Sequence, residues 1–154
     1  MITNLIKKKK LFLKKYQGKL KKNFIYLPQK KNLGFASSIN LGAKYAKGDW
    51  LLVLNDDIEF EVKNIKNPKD ILEKLIAYGE KNSLDALTPI LINPDGSYEN
   101  LGYRVLPYGK VKLIKNLNEK LDFDGITAAC LLVKKEIFNK LTGFDESFFA
   151  YLED

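Results

Sequence analysis

Five apolar residues in a row, Trp50-Leu51-Leu52-Val53-Leu54, stop abruptly at Asn55-Asp56-Asp57. A strand with one wet face shows a polar residue at every second position. An unbroken run therefore predicts a strand covered on both faces, as in a parallel sheet. A second such run extends from Ile126 through Val133, with the small residues Ala128 and Ala129 at its centre. Two strands of this kind need helices on either side. The expected class is α/β, a mainly parallel or mixed sheet with helices on both faces.

The segments between the runs carry the helix signals. Residues 4–20 read as a lysine-rich helix, so residues 1–23 are set apart from residues 24–154. Phe24-Ile25-Tyr26-Leu27 predicts a short strand ended by Pro28. Phe35, Ile39, Gly42, Ala43 and Ala46 recur at helical spacing, with Gly48 expected as a left-handed cap. Gly42 inside that helix suggests close packing against the sheet. Asn67 and Pro68 predict an N-cap and first residue for a helix that buries Ile71, Leu72, Leu75 and Ile76. Asp85 through Ile92 reads as a strand, Asn93-Pro94-Asp95-Gly96 as a turn before a short return strand, and Val111 to Ile114 as another strand. A last short helix, Lys134 to Leu141, should stop at Gly143.

Composition removes several chemistries. The 154 residues hold one cysteine and no histidine. That excludes a disulfide framework, the usual zinc sites and His-based triads, and it fits a reducing, cytoplasmic compartment. Acid–base work falls to carboxylates, lysines or tyrosines. No apolar stretch is long enough to span a bilayer, and Met1 to Ile6 lead into lysines rather than a signal-peptide core. Residues 1–48 hold 13 lysines and no acid, whereas the remainder holds 13 basic and 19 acidic groups. Lysine supplies every cation but Arg104, the ordinary mark of an AT-rich coding sequence. The functional alternative is a basic face for phosphates or for peripheral contact with an anionic membrane. Nucleic acid is not expected, because phosphate-reading arginines and a known binding motif are missing.

Three segments carry chemistry. Asn55, Asp56 and Asp57 follow a buried strand directly, at the sheet end where open α/β folds bind ligands. Two oxygen side chains there can share a hard cation and leave positions for phosphate oxygens, although the same tripeptide is also an ordinary turn. In Gly143 to Asp154, Phe144, Phe148, Phe149 and Tyr151 are interleaved with Asp145, Glu146, Glu153 and Asp154. Such a mixture can hold a sugar or raise a carboxyl pKa, or it can be a chain end with packed rings and wet acids. Asn32 to Gly42 places Gly34 ahead of a helix, where backbone N–H groups can approach an anion. Its spacing fits no standard phosphate loop.

Taken in order, these segments resemble glycosyltransferase family 2, and its rhamnosyltransferase-like members most of all. The N-x-G-F-a-x-x-x-N-x-G helix is matched by Asn32 to Gly42. The strand ending in D-x-D or N-x-D is matched by Trp50 to Asp57, the dG turn by Asp95-Gly96, and the following apolar segment by Ala128 to Phe138. G-F-D-E-x-F-F-x-Y-x-E-D is matched by Gly143 to Asp154.

The resemblance implies a GT-A fold. It also implies inverting transfer from a nucleoside-diphosphate sugar donor to a saccharide or lipid-linked acceptor. By the same resemblance, Asp57, with Asn55 in a weaker role, would bind Mg²⁺ or Mn²⁺ with the diphosphate. Asn32, Gly34, Asn40 and Asp56 would lie near the donor. Asp145, Glu146 and Glu153 would line the acceptor side, and Asp154 would deprotonate the acceptor hydroxyl. Family strands expected before residue 24 and helices expected after Asp154 have no counterpart here. The sequence therefore also predicts a truncated, non-catalytic remnant, half of a split enzyme with a complementing chain or a homo-oligomer, or a basic membrane-surface module.

Overall fold

The computed structural model describes residues 24–60, 68–99, 101–117 and 123–148. The lysine-rich helix, the Asn67 cap, and Glu153 and Asp154 lie outside them. The chain separates into two compact units, Met1–Asn32 and Leu33–Asp154. In the first, residues 24–29 have no regular secondary structure, so the strand expected over Phe24 to Leu27 does not form. Strand residues need a ladder for their amides, and no described segment pairs with them.

The second unit opens with α1 (Phe35–Tyr45) and β1 (Trp50–Leu54). It continues through α2 (Pro68–Lys81), β2 (Ala86–Leu87), β3 (Tyr103–Leu106) and β4 (Lys110–Leu113) to β5 (Cys130–Lys134) and α3 (Lys135–Lys140). The three-stranded sheet has the order β1-β5-β2. Leu52 faces Leu132 across one ladder and Leu87 faces Leu132 across the other, both antiparallel. Continuous apolarity correctly signalled cover on both faces of β5, whereas β1 is only half-buried on its second face and ends at an exposed Leu54; it carries no information on strand direction. The expected parallel pairing gives way to antiparallel neighbours around β5.

Alternation then sorts the side chains. Leu51, Val53, Leu131 and Val133 share one face and form the core with Ala128 and Phe138. Phe35, Ile39, Ala43 and Ala46 of the α1 segment pack on that core. Trp50, Leu52 and Leu132 share the other face. There Gly79 of α2 comes so close that a Cβ would stand 3.0 Å from Trp50 Cη2 and 3.1 Å from Leu87 Cδ2. Leu132, only 1% exposed, contributes roughly 1.5–3 kcal/mol by this burial. Ile71, Leu72, Leu75 and Ile76 are half-buried as their spacing predicts.

Two glycine expectations change. α1 ends at Tyr45 and leaves through an extended Ala46, so Gly48 caps nothing and has no left-handed φ. Gly42 has open space where a Cβ would stand, so it marks no close packing. The strand expected over Asp85 to Ile92 shrinks to Ala86–Leu87 and a lone bridge from Ile92 to Tyr98. Between them the Asn93–Gly96 turn forms as expected, with Gly96 at φ 84°. β3 is absent from the sequence reading. It pairs antiparallel with β4 around a tight turn at Pro107-Tyr108-Gly109.

Candidate active site

The carboxyl end of β1 continues the ladder by one bond, Asn55 N–H to Ala129 O at 2.9 Å. The chain then turns at Asp56 and Asp57, both exposed, while Asn55 is half-buried. The small residues Ala128 and Ala129 lie in the turn facing this end.

The first turn of α1 lies at the same end of the sheet. At the start of β1, Lys135 donates from its backbone N–H to Asp49 O (2.8 Å) and from Nζ to Ala46 O (2.5 Å). The end of α1 is therefore beside the start of β1. Eleven helical residues rise about 16 Å, and five strand residues span about 17 Å. Gly34 and Phe35 thus sit towards the Asn55 end. Gly34 has φ 81° and ψ 178°, a region open essentially to glycine alone. No side chain caps the helix there.

The segment after α3 is clamped onto α1. α3 closes in a Schellman motif: Gly143 N–H donates to Phe138 O (2.9 Å) and Thr142 N–H to Asn139 O (3.0 Å). Thr142 and Gly143 both take left-handed φ, 65° and 80°. A Cβ on Gly143 would collide with Asn40 Oδ1. Asn40 is buried, with 9% exposure, and its amide is fully engaged. Nδ2 donates to Phe144 O (2.9 Å) and Glu146 Oε1 (3.0 Å), and Oδ1 accepts from Phe144 N–H (2.9 Å). The Phe144 ring stands between Phe35 and Phe138 at centroid distances of 5.7 and 5.6 Å.

Glu146 receives its second hydrogen bond from Ser37 Oγ, at Oε2 and 2.9 Å. The Asn40 and Ser37 bonds, with help from Lys44, hold its pKa below the usual glutamate value. Glu146 is an oriented, ionised acceptor at neutral pH, poorly suited to hold a proton. Asp145 accepts from Ser147 N–H at 2.9 Å, which lowers its pKa too.

The structure therefore brings Asn40, Ser37, Phe144 and Glu146 together on α1. Asn32 falls in the other unit, and Glu153 and Asp154 lie outside the described residues. Ser37 escaped the sequence reading. The available signal was Asn40 itself, a polar residue one helical turn from buried Ala36 on the apolar side of α1. A cleft of about 510 Å³ opens at the opposite end of β1, lined by residues including Lys47, Asp49, Trp50, Glu80 and Lys134. Lys134 is engaged there by Asp85 at 2.8 Å and lies 5.9 Å from the centre of the Trp50 ring. This cleft is remote from the acids that follow β1.

Sequence comparison decides the family. The pattern of Glycosyl transferase family 2 matches residues 10–142. The chain belongs to this family. Its mixed α/β layering is a partial GT-A fold, the fold this family implies. An O-antigen biosynthesis protein RfbC from Myxococcus xanthus is 29% identical over 122 residues, 71% of this chain and 9% of that protein. An N-acetylglucosaminyl-diphospho-decaprenol L-rhamnosyltransferase from Mycobacterium tuberculosis is 26% identical over 162 residues, 86% of this chain and 51% of that protein. The chain thus spans 9% of one relative's length and 51% of the other's. No solved structure matches it.

Family 2 transferases generally use a divalent metal. Among the described residues, no group of three or more acids, cysteines or histidines is assembled for one. The donor set after β1 nonetheless fits a small hard cation. Mg²⁺ takes one or two carboxylates, and phosphate oxygens and water complete its shell. The exposed Asp56–Asp57 turn offers hard oxygens without enclosing them.

Proposed function

We propose that this family 2 chain takes part in moving a sugar from a nucleoside-diphosphate sugar to a saccharide or lipid-linked acceptor, with inversion at the anomeric carbon. The observation that carries the reading is the acid turn Asp56–Asp57 at the carboxyl end of β1, the same end as the first turn of α1. Asp57, with Asn55, would hold Mg²⁺ or Mn²⁺. When bound, the cation supplies positive charge to a departing diphosphate. Gly34 and Asp56 lie at the end proposed for the donor, and Asn32 belongs to the same proposed set. Asn40 acts as a positioning residue, since its amide already holds Phe144 and Glu146. Glu146 and Asp145 would present fixed carboxylates to acceptor hydroxyls, together with Glu153. Asp154 would take the proton of the attacking hydroxyl. A lipid-linked acceptor is favoured by the diphospho-decaprenol substrate in the name of the mycobacterial relative.

The test is calorimetric titration with UDP- and dTDP-sugars, with and without Mn²⁺. Donor binding should require the cation, and Asp57→Ala should abolish the cation-dependent part. Equal affinity in the variant removes the metal assignment.

A further inference from the structure

The β3–β4 hairpin does not take part in the site described above. Its register pairs Tyr103 with Leu113 and Val105 with Val111, and between these pairs Arg104 with Lys112. Alternation therefore puts Tyr103, Val105, Val111 and Leu113 on one face, and Arg104, Leu106, Lys110 and Lys112 on the other. The apolar face is open: Val105 is 55% exposed and Leu113 45%, and Tyr108 at the tip is fully exposed. A two-stranded hairpin is marginal on its own in water. This one is tied at its base, where Tyr103 N–H donates to Gly125 O (3.0 Å) and Val105 N–H to Asp124 Oδ2 (2.7 Å).

Charge decides what the face suits. Residues 101–117 carry Arg104, Lys110, Lys112 and Lys115 and no acid of their own, although the Asp124 carboxylate bonds to Val105 N–H and the chain beyond residue 48 is acidic overall. A protein partner fitted to the apolar face would need no such surplus. A bilayer with anionic headgroups needs all three features: apolar side chains for the acyl boundary, an aromatic ring at the interface, and flexible cations that reach phosphates. We propose that the β3–β4 hairpin is a membrane-contact element that seats Val105, Tyr108, Val111 and Leu113 in the surface of an anionic bilayer, with its lysines on the headgroups. No helix among the described residues is long and apolar enough to cross a membrane. The inference stands independently of the sugar-transfer reading.

The test uses the full chain and vesicles of phosphatidylglycerol and phosphatidylethanolamine with brominated acyl chains, compared with pure phosphatidylcholine. The wild type should sediment with the anionic vesicles only. Val105→Ser/Tyr108→Ser, two exposed positions, should weaken that binding at least tenfold with an unchanged urea midpoint. Tyr108→Trp should show bromine quenching beyond the wild-type signal from Trp50. The proposal is overturned if the wild type ignores anionic vesicles. It is equally overturned if the double variant binds as well as wild type and Tyr108→Trp adds no quenching, which assigns binding to the lysines of residues 1–31. Self-association in solution that the double variant abolishes, without vesicle binding, gives the face to a second copy instead.

Discussion

The Asn40 carboxamide grips both polar atoms of Phe144's backbone, Nδ2 to its O and Oδ1 from its N–H, each at 2.9 Å. One helical side chain thus holds the residue that follows Gly143 and, through the second Nδ2 hydrogen, the Glu146 carboxylate. Removing it strands part-buried backbone groups. Asn40→Ala should lose about 1–3 kcal/mol, the desolvation penalty of groups left unpaired. Asn40→Asp should lose more, because it replaces the donor with a carboxylate facing Phe144 O and Glu146. Urea denaturation measures both; an unchanged midpoint in Asn40→Ala would mean the clamp contributes nothing.

The exit from α3 gives two substitutions of opposite sign. Thr142 holds φ 65° with a β-branched side chain, a conformation that disfavours L-residues by roughly 1–2 kcal/mol. Its hydroxyl bond to Leu141 O at 2.6 Å recovers part of that. Thr142→Gly should therefore raise the thermal midpoint. Gly143→Ala should lower it sharply, since it combines a left-handed backbone at φ 80° with a collision against Asn40. Matching shifts for the two would contradict the Schellman geometry.

Gly42 lies inside α1 with nothing within 4 Å of the place a Cβ would take. Gly42→Ala should stabilise by about 1 kcal/mol through helix propensity alone. Calorimetry reads the gain. A loss would show that some group does approach Gly42.

Glu146 sets a pH dependence of definite sign. Its pKa is depressed in the folded chain by Asn40 and Ser37. The stability it contributes is present above the unfolded glutamate value of about 4.3. It disappears as pH falls through the lower folded value. Glu146→Gln should be less stable than wild type at pH 7, and the two should converge on acidification. Urea midpoints between pH 7 and pH 3 test this, and a constant gap would sink it.

Much of the layout was legible in local pattern. The uninterrupted run ending at Val133 reported burial on both faces, and the run from Trp50 to Leu54 did so for one face, the other being half-buried and Leu54 exposed. The chain leaves α3 through Thr142 and Gly143, where turn chemistry placed the stop. Gly48 and Gly42 misled because glycine permits left-handed turns and close approach without requiring either. β3 was missed because Tyr103 to Leu106 is exposed over most of its length, so no alternation of burial marks it.

The sequence by itself determined which segments are buried, where the acids follow β1, and the family, because those depend on side-chain type and short-range order. Tertiary structure alone decided the antiparallel pairing around β5 and the joining of Ser37 and Asn40 to Glu146, more than a hundred residues away. Ladder direction and distant hydrogen bonds depend on how the backbone returns in space. An isolated stretch of residues has no energy term that distinguishes one return from another.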